Sequence, residues 1–91
     1  MKIKLVQHVS QNRGKPHAYV RCIIDWPDGL SMPHEGDFLT LAEDDEDTVR
    51  DVQFTPLGET KATIVLIEGL AEDPETAQEW AARRRPGWDA F

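Results

Sequence analysis

Two segments near the N-terminus alternate apolar and polar residues with the period of two that is typical of β-strands. The apolar positions are Ile3, Leu5 and Val9 in residues 1–9, and Val20, Cys22, Ile24 and Trp26 in residues 18–26. Residues 10–17 between them are polar and contain Gly14 and Pro16, which predicts a hairpin loop. This pair of strands limits the fold to one built around a β-sheet.

The alternation also predicts how the two strands pair. If Ile3 lies opposite Ile24 and Leu5 opposite Cys22, both apolar faces point to the same side of the sheet. A shift of one residue would turn one of these faces to the opposite side. We therefore expect an antiparallel hairpin in this register, with Cys22 buried as an inert thiol.

Three more strands are predicted downstream. The turn sequences Trp26-Pro27-Asp28-Gly29 and Pro56-Leu57-Gly58-Glu59 separate apolar segments. The predicted strands cover about residues 37–41, 48–55 and 60–68. The last of them is apolar on both faces, which is typical of a strand that is central or covered on its second side.

A helix is predicted over about residues 74–85. Asp73 is a favourable N-cap, Pro74 suits the first helical position, and Pro86 ends the helix. Ala77, Trp80, Ala81 and Arg84 follow the i, i+3, i+4, i+7 spacing of one helix face. We expect Trp80 to pack on the sheet.

Five strands followed by one helix predict a single small α+β domain over residues 1–91. We expect a five-stranded antiparallel sheet curled into an SH3-like barrel, with an open sheet covered by the helix on one face as the alternative. The predicted core residues are Trp26, Phe54, Ile64 and Leu66. A chain of 91 residues has a small core, which a partner or a second copy could extend.

Charge is distributed unevenly along a chain of net charge −7. Residues 1–24 contain five basic residues and no acidic one, whereas residues 25–51 contain ten acidic residues and only Arg50 as a base. General affinity for nucleic acid is not expected, because it depends on neutralising phosphates. The densest run is predicted to be a solvated acidic loop and consists of Glu43, Asp44, Asp45, Glu46 and Asp47.

No motif typical of catalysis or cofactor binding is found in the sequence. The three histidines and Cys22 lack metal-ligand spacing, and the acidic run lacks the central glycine of a calcium loop. There is no nucleophile elbow and no glycine-rich phosphate loop. We therefore expect no enzymatic activity, no cofactor and no metal.

The expected location is the cytoplasm. The longest apolar run, residues 64–67, is too short to span a membrane, and polar residues interrupt any signal peptide behind Lys2 and Lys4. A single cysteine forms no intrachain disulfide and fits a reducing compartment.

The expected function is that of a non-enzymatic protein-interaction or accessory domain. The predicted contact surfaces are the acidic residues 43–47 and the C-terminal aromatics Trp88 and Phe91, which would anchor a partner if exposed and otherwise fold back onto the sheet. The expected partner is another protein with a basic surface. Two alternatives are an acidic mimic of nucleic acid, as in small inhibitors carried by mobile elements, and single-strand binding by the basic first hairpin with Tyr19.

Overall fold

The computed structural model describes residues 1–10, 18–42, 45–72 and 75–91. These residues form six strands and one helix. The strands are β1 (Lys2–Ser10), β2 (Ala18–Asp25), β3 (Phe38–Ala42), β4 (Asp45–Phe54), β5 (Ala62–Leu70) and β6 (Asp89–Ala90), and the helix is α1 (Ala77–Arg84). The predicted hairpin loop lies, from residue 11 onward, outside the described residues.

The strands form one mixed sheet in the order β3-β4-β5-β1-β2-β6. β1 pairs in parallel with β5, and every other described pairing is antiparallel. The small α+β class is confirmed, but the five-stranded antiparallel barrel is not what forms. β5 is apolar on both faces and lies inside the sheet, where it pairs with β1. The described edge strands, β3 and β6, do not pair with each other, so the sheet stays open.

The predicted register of the first hairpin is confirmed. Ile3 pairs with Ile24, and Leu5 pairs with Cys22. Cys22 is half-buried rather than fully buried. Its side chain packs at the margin of the core and lines a surface cavity together with Gly87 and Asp89.

The core lies between one face of the sheet, called here the inner face, and a layer that contains α1, Trp26 and Trp88. The buried residues of the sheet include Ile3, Leu5, Val9, Val49, Ile64 and Leu66. Trp80 packs closely on Gly69, where an added Cβ would lie 2.6 Å from the indole ring. Glycine is therefore required at this position for the helix to approach the sheet.

Phe54 was predicted to be a core residue, and its side chain is 67% exposed. It pairs with the buried Ala62, so it lies on the inner face as its phase predicted. Phe54 is exposed because the alternation of residues predicts the face on which a side chain lies, but not how far the covering layer extends along that face. The other predicted core residues, Trp26, Ile64 and Leu66, are buried.

Helix α1 begins later than predicted. Thr76 is the N-cap and accepts a hydrogen bond from the Glu79 backbone, while Glu79 accepts one from the Thr76 backbone. This capping box is encoded by Thr76-Ala-Gln-Glu79, a signal that outweighs the predicted cap. Asp73 and Pro74 lie outside the described residues. No helix in the described part of the chain has the length and apolarity needed to cross a membrane.

Candidate interaction surface

The last three residues of the acidic run, Asp45 to Asp47, are built into the sheet instead of lying in the predicted solvated loop. Asp45, Glu46 and Asp47 are the first residues of β4. Since successive side chains of a strand alternate between faces, Asp45 and Asp47 point to the inner face while Glu46 is exposed. Glu43 and Asp44 lie outside the described residues.

Asp45 and Asp47 share a buried arginine from the C-terminal end of the helix. Arg85 is 3% exposed. Its Nη1 donates to Asp45 Oδ2 at 2.6 Å, and its Nη2 donates to Asp47 Oδ2 at 2.7 Å. The same Asp47 oxygen accepts a hydrogen bond from Nε2 of the buried Gln7 at 2.7 Å. We call these four residues the Arg85 cluster.

The Arg85 cluster also holds the aromatic layer in place. The guanidinium carbon of Arg85 lies 5.6 Å from the ring centre of Trp80 and 5.8 Å from that of Trp88, within the range of cation–π contact. The Trp88 backbone N–H donates to the Arg85 carbonyl across a turn in which Gly87 takes a φ of +89°. Trp88 is therefore buried and folded back, which is one of the two outcomes that the sequence allowed.

A groove runs along the inner face between residues 26–34 and β3. Its inner part is a cavity of about 280 Å³, lined by Leu5, Trp26, Leu30, Leu39, Leu41 and Trp88, among other residues. Its outer part is a cavity of about 540 Å³ that shares Trp26, Leu30 and Leu39 with the first. The two cavities therefore form one continuous, mostly apolar groove.

A tight turn shapes one wall of the groove. Trp26 Nε1 donates to the Leu30 carbonyl at 2.9 Å, and the Leu30 N–H donates to the Pro27 carbonyl at 3.2 Å. Gly29 takes a φ of +80°, a conformation that glycine adopts without strain. This turn leaves the Leu30 side chain 54% exposed over the groove.

The border of the groove is acidic. The segment from residue 27 to residue 37 contains Asp28, Glu35 and Asp37 and neither lysine nor arginine, and all three carboxylates are exposed. His34 Nδ1 lies 3.8 Å from Asp37 Oδ2 at the same border. An apolar groove therefore opens into a region of negative potential.

Phe91 lies on the opposite face of the sheet, called here the outer face. Its ring centre is 5.7 Å from that of Tyr19, and the Arg21 guanidinium carbon lies 4.6 Å above its ring. Phe91 is exposed and hydrogen-bonded to the backbone of Tyr19. The residues predicted from sequence as contact surfaces are thus divided between two faces.

The lone cysteine is not activated. Partial burial raises the pKa of the Cys22 thiol, and the nearby Asp89 carboxylate raises it further. Both effects favour the neutral thiol, which is a poor nucleophile. Among the residues that the structure describes, no three His, Cys, Asp or Glu side chains are grouped to hold a metal ion.

Comparison of the chain with protein-family models, curated proteins and solved structures gives no match. The groove, its acidic border and the two faces of the sheet are therefore the features from which a function can be proposed.

Proposed function

We propose that this protein is a non-enzymatic interaction domain that binds another protein in the groove between residues 26–34 and β3. The observation that carries the proposal is a continuous apolar groove with an exposed leucine in its wall and an acidic border. Apolar concavities of this kind, surrounded by polar residues, mark interaction sites.

The partner that fits is a basic segment with a bulky apolar side chain. The apolar side chain enters between Trp26 and Trp88, where it is removed from water and acts as the anchor. Lysine or arginine residues beside it face Asp28, Glu35 and Asp37, which speeds association and sets the orientation. This partner corresponds to the basic protein surface expected from the charge distribution.

The nucleic-acid mimic is supported less well. Its charge would come from the ten acidic residues of segment 25–51, and two of these, Asp45 and Asp47, are already paired with Arg85 inside the protein, so they present little free charge. Single-strand binding would use the outer face, where His8, Tyr19 and Phe91 bring their rings together. The exposed Asp89 lies two residues from Phe91 and would repel phosphate.

Selection of random displayed peptides on the immobilised protein tests the proposal. We expect enrichment of peptides in which leucine, phenylalanine or tryptophan is flanked by lysine or arginine. Leu30→Ser should weaken their binding about tenfold, or ~1.4 kcal/mol. Raising salt from about 0.05 to 0.5 M should also weaken binding, because it shortens the Debye length to about 4 Å.

Leu57→Ser is the matched control, since Leu57 is fully exposed in the turn between β4 and β5, away from the groove. It should bind the selected peptides like the wild type. Peptides that bind the Leu30→Ser protein equally well would contradict the groove. Binding of a single-stranded oligonucleotide that is lost in Tyr19→Ala would favour the nucleic-acid alternative instead.

A further inference from the structure

The outer face of the sheet carries a group of apolar side chains at its centre, among charged residues. Val6 and Val65 lie side by side at its centre, and Ile23, Ile67 and Tyr19 surround them with large exposed side chains. Within the described residues, α1 and both tryptophans of the covering layer pack on the inner face. The outer face is therefore unpartnered in a single chain.

We propose that a second copy of this chain packs on the outer face, so that the two sheets stack as a symmetric dimer. The strand registers place Asp51, Val65, Val6 and Arg21 in one row across β4, β5, β1 and β2, and the row continues to Asp89 on β6. On the four central strands, an acidic residue and a basic residue flank two valines. These four positions are complementary to their own reversed copy.

A two-fold axis in the plane between the sheets, parallel to the strands and midway between β1 and β5, reverses the row. It places Val6 over Val65 of the second copy, and Arg21 over Asp51 of the second copy. Both contacts occur twice, as an isologous interface requires. Apolar surface then meets apolar surface, while the guanidinium meets a carboxylate.

The same axis pairs the exposed aromatics at the edges of the sheet. The next row of outer-face residues has an aromatic residue at each end. At one end, Phe91 is hydrogen-bonded through its backbone to Tyr19. At the other end, Phe38 of β3 pairs with Thr48 of β4. Phe38 is 72% exposed. The axis brings Phe91 over Phe38 of the second copy, which gives both exposed rings an apolar partner.

The area of the outer face suits a stable dimer. The six strands contain 43 residues in all, which at about 4.8 Å between strands and about 3.3 Å per residue cover an area on the order of 700 Å². This is close to the roughly 800 Å² that each partner buries in a standard interface. The molecule is only 22 Å thick along its shortest axis, as expected for one sheet with a single covering layer.

A charge swap tests the symmetric pairing by light scattering or sedimentation equilibrium at about 0.1 mM protein. The wild type should have twice the 10.3 kDa mass of one chain. Arg21→Glu should place like charges together and raise the dimer dissociation constant about tenfold or more. The Arg21→Glu/Asp51→Arg protein should dimerise again, because the swap restores opposite charges at both sites.

Arg84→Glu is the matched control, since Arg84 is an exposed arginine of α1 and should leave the mass unchanged. Urea unfolding verifies that each variant is folded. Phe38 is left intact because it also borders the outer cavity of the groove. A wild type that is monomeric at this concentration, or a dimer that Arg21→Glu does not weaken, would overturn the proposal.

Discussion

Replacing Asp47 by alanine removes a central member of the Arg85 cluster. One Asp47 oxygen accepts hydrogen bonds from both Arg85 and Gln7, and the Arg85 Nε has no hydrogen-bond partner among the described residues. The two carboxylates therefore compensate most of the cost of burying this guanidinium. Removing one partner of a buried ion pair costs about 3–5 kcal/mol. Because Asp45 still pairs with Arg85, we expect the free energy of unfolding to fall by about 3 kcal/mol.

Urea unfolding followed by tryptophan fluorescence measures this loss, since all three tryptophans are buried. A small domain has an m-value of about 1 kcal/mol per molar urea, so the midpoint should fall by about 3 M. A domain of this size has a total stability of about 5–14 kcal/mol. Asp47→Ala would therefore remove a large part of the total stability.

Glu46→Ala is the control, because Glu46 is the neighbouring residue of the same strand and is exposed. Its free energy of unfolding should change by less than about 0.5 kcal/mol. Asp45→Ala should lower the free energy of unfolding by about 1–2 kcal/mol, which is between the other two variants, since the Asp45 side chain is 25% exposed and that of Asp47 is 14% exposed. If Asp47→Ala and Glu46→Ala unfold at the same urea concentration, the Asp47 carboxylate is solvated and its pairing with Arg85 does not stabilise the protein.

Three further outcomes are expected. Gly69→Ala should destabilise the protein by about 1–3 kcal/mol in the same unfolding assay, since its Cβ would meet the Trp80 ring, and an unchanged midpoint would contradict that contact. Phe54→Ala should cost less than about 1 kcal/mol, whereas a core position would cost about 3–5 kcal/mol. Cys22 should react with a thiol reagent more slowly than free cysteine near neutral pH, and the rate should increase as the pH rises through its raised pKa. Asp89→Asn should accelerate the reaction, because it lowers that pKa. Equal rates for the wild type and Asp89→Asn would argue against the effect of the carboxylate.

The local pairing of the first hairpin could be predicted, whereas the parallel pairing of β1 with β5 could not. A period of two specifies which side chains share a face, and two amphipathic strands joined by a short loop have one register that satisfies both. The apolar faces of β5 indicated a central strand, and β5 is central. Its pattern contains no information on the direction or identity of its neighbour, because the two are set by where the intervening chain packs.

The Arg85 cluster beside the candidate site was harder to predict because its members are distant in sequence. Asp45 and Asp47 form a dense acidic run whose local pattern indicates solvent exposure, and Arg85 belongs to a basic run at a helix end. Their pairing joins residues about forty positions apart and depends on the tertiary fold. For Trp88 the sequence left two outcomes, and the turn at Gly87 leads to the buried one.

The parallel contact between β1 and β5 has a consequence for how fast the protein folds. Ile3 pairs with Ala62, so this pairing closes a loop that includes most of the chain. The hairpin of β1 and β2 can form as soon as both strands have been synthesised, but the second edge of β1 stays open until β5 follows. Contacts of such long sequence separation slow folding, because the entropy of the loop is lost before the contact is gained. During synthesis the free edge of β1 is therefore the part of the sheet most exposed to wrong strand pairing.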